Sequence, residues 1–240
     1  MRPDLGACSA ACLTIIRLLL PGVAAAQVGH DPAHSPYRTL RFGQFIGLNG
    51  GLLNGNGGEL GVAPHHGPSI GLRYDFLSAS TVNLSFEASF ARLERTRVDP
   101  TKPIATAVTG PFKQKVGMAE AIIQFNLTGG KTWHRLAPYV SAAFGFMLAE
   151  QLKADSSSDF KFHTRFALIP AIGTRVFLSD RLFLRVEARS AFWSVSYPAS
   201  FRTIPSSDPT KPPVLASPAK EWLANGWYTV GLSYAFSRPF

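Results

Sequence analysis

The chain reads as a single all-β domain, an eight-stranded antiparallel up-and-down transmembrane β-barrel. Three observations predict it. Eight segments read as strands, and in several of them apolar residues recur at every second position, the period of a strand with one apolar face. The connections between those segments alternate between short turns and long polar loops. Beyond residue 26 no run of about 18 apolar residues exists, so a bilayer would be crossed by strands and not by a helix.

The first segment carries Arg2, then Leu13, Ile15, Ile16, Leu18, Leu19 and Leu20, then Ala24-Ala-Ala26. A charged start, a short apolar run and an Ala-x-Ala site predict a secretory signal, residues 1–26, cut after Ala26. Both cysteines, Cys8 and Cys12, fall inside it, which leaves the mature chain without a disulfide or a thiol nucleophile. Residues 27–36 read as a linker and residues 37–240 as the barrel domain. Removing Arg2, Arg17 and Asp4 with the leader takes the formal surplus from +9 to +8. Such a surplus suits nucleic acid or a phosphate-rich surface; an exported chain meets the second, so no nucleic-acid partner is expected.

Strands are expected at 38–53, 67–77, 81–93, 114–128, 135–150, 160–178, 181–194 and 222–237. Each supplies the roughly 9–11 tilted residues that cross a bilayer. The start of the first strand, at Tyr37 or nearer Leu40, is open, as is a bulge near Phe90–Leu93 where the alternation slips. The seventh strand is the clearest: Leu182, Leu184, Val186 and Ala188 alternate with Arg185, Glu187 and Arg189. In the third, Val82, Leu84, Phe86 and Phe90 alternate with Asn83, Ser85, Glu87 and Ser89. In the fifth, Leu136, Val140, Phe144, Phe146 and Leu148 alternate with Tyr139, Ser141, Ala143 and Gly145. The long polar loops are Asn54–His66, Glu94–Lys113, Gln151–Asp159 and Val195–Glu221. The short turns lie at 77–80, 128–133 and 178–181.

The last strand brings Val230, Leu232, Tyr234 and Phe236 to one face, and the chain stops on Phe240. A terminal aromatic strand is an aggregation hazard in water. It resembles the end of bacterial outer-membrane β-barrels, and Arg238 stands where that family usually has an apolar residue. The resemblance implies that these five residues form the signal read by the barrel-assembly machinery. It also implies a place in the outer membrane, with short turns toward the periplasm and long loops outside.

Alternation alone does not say which face is inside, and a soluble lipocalin-like barrel shows the same pattern inverted. Two details favour lipid outside. The polar phase is rich in Gly, Ala and Ser, which suits a crowded lumen. The apolar phase carries aromatics near strand ends (Trp222, Tyr228, Tyr234, Phe236, Phe240), as an interfacial girdle does. Arg41, Arg73, Asp75, Glu87, Glu120, Arg165, Arg175, Arg185, Glu187 and Arg189 then point inward. Eight strands leave a lumen just wide enough for side chains, and unpaired ions there would cost several kcal/mol each. They are therefore expected to pair, with Glu87, Glu120 and Glu187 shared among Arg165, Arg175, Arg185 and Arg189, as a plug or as the lining of a narrow ion path.

No catalytic, metal or cofactor motif is found. Lipid A deacylases with which small barrels are compared carry His-x-Ser on a late strand, and no histidine here is followed two residues later by Ser. His163 reads as an interior hydrogen-bonded residue of the sixth strand, and adjacent His65 and His66 make a poor metal site. External cations (Arg92, Arg95, Arg97, Lys102, Lys113, Lys153, Lys161, Arg202, Lys211, Lys220) fit lipopolysaccharide phosphates. The proline-rich last loop is expected to be extended and mobile. The leading expectation is a monomeric, non-enzymatic outer-membrane barrel for envelope integrity or surface interaction. An outer-membrane enzyme acting on lipid A or phospholipid and a narrow channel for small or hydrophobic solutes, through a continuous lumen or a lateral gap between strands, are the alternatives.

Overall fold

A computed structural model of the chain describes residues 35–40, 43–77, 81–150, 160–216 and 219–236. The expected leader, Arg41, Lys153 and Phe240 lie outside the described residues. The barrel unit spans Tyr37–Phe240.

Eight long strands build the wall: β2 (Gly43–Asn54), β3 (His66–Leu77), β4 (Val82–Val98), β5 (Val108–Asn126), β7 (Leu136–Ala149), β8 (Arg165–Phe177), β9 (Leu182–Ser196) and β10 (Lys220–Ala235). Each pairs antiparallel with its neighbour in sequence, and β10 pairs back onto β2 from Gly226↔Asn54 to Ala235↔Phe45. Closure leaves no wall strand with an unpaired edge.

The expected first strand is two pieces. β1 (Tyr37–Thr39) leaves the wall and pairs with β6 (Lys131–Trp133), inside the predicted turn at 128–133. β6 turns into β7 through His134 and Arg135 alone, with Trp133 opposite Leu136. Both turn residues have left-handed φ, 47° and 66°. A two-residue hairpin needs that geometry and usually takes Asn-Gly for it; a residue with a Cβ costs roughly 1–2 kcal/mol there.

The third loop boundary also differs from expectation. Pairing of β4 with β5 runs past Glu94↔Lys113 and Arg95↔Phe112 to Val98↔Val108, so most of the predicted Glu94–Lys113 loop is a strand hairpin. The irregularity lies between Arg95 and Arg97, not at Phe90–Leu93, where alternation is unbroken. The charges at this hairpin masked the alternation that the burial of Ala91, Leu93 and Arg95 carries up to that irregularity.

The wall's polarity is inverted relative to a soluble protein. Phe86 (62 % exposed), Leu48 (58 %) and Ile172 (64 %) face outward, with Phe144, Phe146, Leu148, Val230 and Leu232 around them. Arg73, Asp75, Glu87, Arg175 and Glu187 are buried. Soluble monomers rarely expose apolar patches beyond a few hundred Å²; the encircling belt is built for a bilayer.

The lumen has three layers. At the short-turn end Leu40, Phe45, Ala137, Phe177, Phe183 and Ala235 form a small apolar cluster. Ionic residues fill the middle. At the long-loop end the inward phase turns apolar, with Trp193, Val195, Leu93, Met147 and Ile169, and loop residues descend onto it. The last loop is therefore not extended. It turns at Ala199–Arg202, buries Phe201 completely and stacks it on Phe160 at 6.4 Å, with Val214 and Leu215 beside it. Ser207 N donates to Thr101 O (3.0 Å), tying this loop to the β4–β5 hairpin. Residues 160–164, expected as strand, precede β8 and contribute Phe160 and Phe162 to the same cap.

Candidate functional site in the charged lumen

The middle layer is assembled from inward positions on every wall strand. β9 supplies Arg185, Glu187 and Arg189, β3 supplies Arg73 and Asp75, and β4 and β5 supply Glu87 and Glu120. Period-2 geometry brings residues two apart to one face, and the antiparallel register sets Arg73 opposite Glu87, and Glu87 opposite Glu120.

Arg73 is the hub. Its Nη1 lies 2.8 Å from Glu187 Oε1 and 3.8 Å from Glu87 Oε2, and its Nε donates to Asp75 Oδ1 at 3.0 Å. Its Nη2 donates to Ser85 Oγ (3.3 Å) and Gln124 Oε1 (3.2 Å). Asp75 accepts from Arg185 Nη2 at 2.5 Å and from Ser85 Oγ at 2.5 Å. Arg189 bridges the facing carboxylates, pairing with Glu87 Oε1 at 3.3 Å and with Glu120 Oε2. Its guanidinium lies 4.3 Å from the centre of the Trp227 ring, a cation–π contact inside the lumen. Glu187 also accepts from Tyr139 Oη (2.7 Å) and Thr229 Oγ1 (3.4 Å), and Asn49 Nδ2 donates to Glu87 Oε1 at 3.0 Å.

Two of the expected donors stand apart from the carboxylates. Arg175 is fully buried, yet it donates to Asn126 Oδ1 at 2.5 Å, and with the Asn83 amide turned over it donates to that amide's oxygen at 3.1 Å. Arg165 is half-buried at the cap, where Nε donates to Phe162 O (2.7 Å) and Nη1 to Ser196 Oγ (3.5 Å). Its strand begins at Arg165, so its height in the wall places it above the ionic layer. Asp75, absent from the expected acceptors, holds two arginines.

Neutral partners were not legible from charge: Tyr139, Asn49, Asn83, Gln124, Asn126, Thr229 and Trp227. Their inward parity is the signal that identifies them. Tyr139 reaches Glu187 because Gly173 lies across from it, where a Cβ would meet the ring at 2.7 Å.

The histidines sit elsewhere. His163 is exposed ahead of β8 and not interior. His65 Nδ1 contacts Ala63 O at 2.9 Å, and His66 Nδ1 contacts Asn54 Oδ1 at 3.3 Å. No group of three His, Cys, Asp or Glu residues able to hold a metal occurs among the described residues. At the cap, Tyr197 donates to Glu221, and Glu59 N donates to both, at 3.1 and 2.9 Å. Burial first, then the hydrogen bond to Glu221, pushes the Tyr197 phenol above its ordinary range.

No protein-family model and no curated protein matches the sequence. Several solved structures are similar in outline. OprG of Pseudomonas aeruginosa is 13 % identical and covers 84 % of this chain and 99 % of its own, with a TM-score of 0.48. Neisserial surface protein A is 13 % identical over 81 % of this chain and 97 % of its own, with a TM-score of 0.47. AlkL, in lipid bilayers, is 16 % identical over 88 % and 97 %, with a TM-score of 0.45. OprG and AlkL are outer-membrane proteins by description. By its own strand pairing and burial, the fold here is eight antiparallel strands closed into a barrel, apolar outside and polar within.

Proposed function

We propose that this barrel is a monomeric, non-enzymatic outer-membrane protein, sealed to solutes, that contributes to envelope integrity and surface interaction. The observation that carries the reading is the layered lumen: an ionic layer closed on itself, with an apolar cluster beneath it and an apolar cap above. Water and ions would have to open all three. Exposed Lys113, Lys161, Arg202, Lys211 and Lys220 at the long-loop end suit lipopolysaccharide phosphates. The short turns then face the periplasm, with Val230, Leu232, Tyr234 and Phe236 outward for the assembly machinery. The test is mature protein refolded into detergent, run unheated and boiled on a gel, then placed in a planar bilayer. A heat-modifiable band without discrete conductance is expected. Stable single-channel steps would overturn the sealed barrel.

One observation favours a second reading, a lateral route for apolar solutes. Pro170 brings no N–H to the β8–β9 ladder, and pairing is interrupted between Leu168↔Phe192 and Ala171↔Arg189 while the register holds. A hollow of about 580 Å³ opens on this stretch of wall, lined by Val140, Pro170, Ile172, Ala188, Ser190 and Tyr228.

A further inference from the structure

The short-turn end carries a second constellation that the lumen does not use. Three arginines converge there from different elements: Arg38 from β1, Arg135 from the β6–β7 turn and Arg181 from the β8–β9 turn. Arg135 and Arg181 line an open hollow of about 430 Å³ with Leu178, Ser179 and Asp180. Arg38 joins Arg135, Phe177, Ser179 and Asp180 around an adjoining recess.

The hollow is electropositive. Asp180 is the one carboxylate among its lining residues, against three guanidinium groups in the pair of recesses. Arg135 Nη1 donates to Leu178 O (3.2 Å) and Arg181 Nη1 to Tyr234 Oη (3.2 Å). Each guanidinium has five N–H donors in a planar fork, so donors remain to meet an anion's oxygens. Arg135 is held over the hollow by the turn whose two residues both have left-handed φ. An Asn-Gly pair would make the same hairpin without strain and would carry no cation. The turn thus combines a left-handed backbone with a cation at the hollow, a pairing of strain and charge of the kind found at ligand sites.

The surroundings indicate what kind of anion. Exposed Tyr37, Trp133 and Tyr234 lie at this end of the wall, and such side chains settle at the depth of lipid headgroups. Leu178, half exposed, lines the hollow and offers it an apolar side. We propose that the Arg135–Arg181 hollow, with Arg38 beside it, binds the phosphate of an anionic phospholipid in the membrane leaflet that the short turns face. The phosphate takes the bidentate guanidinium contacts and the glycerol end of the lipid lies against Leu178. The inference rests on the bilayer-spanning reading and adds a specific lipid to it.

Short-chain phosphatidylglycerol is titrated into refolded protein in a zwitterionic detergent, and the thermal unfolding midpoint is followed. Wild type gains stability with saturation, phosphatidylcholine gives no such gain, and R135Q/R181Q weakens the apparent affinity by about tenfold or more. H134N/R135G separates binding from folding. It unfolds at a higher temperature than wild type without the lipid, because the turn is relieved, yet it gains less from the lipid. K115Q, at the opposite rim where Lys115 faces Glu150, keeps the full response. Equal responses of wild type and R135Q/R181Q would overturn the site. A response lost in K115Q would overturn its location, and an equal effect of inorganic phosphate would overturn the lipid as its source. Failure to form a heat-modifiable band in any lipid sinks the membrane reading itself, whereas a folded barrel indifferent to phosphatidylglycerol sinks this inference alone.

Discussion

At the scale of residues, Arg189 is the side chain on which most depends. Glu87 and Glu120 face each other across the β4–β5 ladder, and Arg189 is the cation that bridges them. Arg189→Leu strands Glu120 and leaves Glu87 only Asn49 and the longer contact to Arg73; it is expected to cost on the order of 3–5 kcal/mol, since breaking a buried pair leaves an uncompensated charge. Equilibrium urea unfolding in detergent measures it. R189L/E120L is expected to be less damaging than R189L alone, and strict additivity of the two losses would show that the groups are uncoupled. This residue was legible beforehand by alternation, as were Arg73, Asp75, Arg185 and Glu187. The pairing was not, because parity assigns a face while partner choice depends on the height of each residue around the wall. Arg165 illustrates the gap: its phase is inward, and its height puts it at the cap with a backbone carbonyl and Ser196.

At the scale of elements, the cap and the β4–β5 hairpin depart furthest from the sequence reading. Loops rich in Pro, Ser and Lys look solvated, yet Phe201, Val214 and Leu215 anchor the last one over Trp193 and Phe160. Single apolar residues at irregular spacing have no period to reveal them. Tyr197 gives this element a pH dependence. Its phenol stays protonated in the folded cap beyond the pH, about 10, at which the unfolded chain ionises. The unfolded state then holds fewer protons than the folded one, so stability falls as pH rises above about 10. Below that pH the contribution is complete. Tyr197→Phe is expected to flatten the alkaline limb of unfolding midpoint against pH. An unchanged limb would assign it to another group.

At the scale of the whole molecule, inversion of polarity governs both location and stability. Phe144, in the middle of β7 and nearly half exposed, faces outward between Ala121 and Leu168. Phe144→Arg is expected to cost about 2–4 kcal/mol in a bilayer, the loss known for lipid-facing cations near the midplane. Folding yield into vesicles reads it, and a soluble barrel would tolerate the change.

Sequence by itself determined the strand period, the alternation of turn and loop lengths and the inward phase of the charged residues. Each follows from local geometry: a strand turns its side chains over every residue, so pattern and face are properties of a few consecutive positions. Only the tertiary structure decided which arginine meets which carboxylate, that Pro170 interrupts a rung opposite Ser190, that loops fold down as a cap, and that Arg38, Arg135 and Arg181 gather at one end. Those features depend on the stagger of strands far apart in the chain, which closure of the wall sets for all eight strands together.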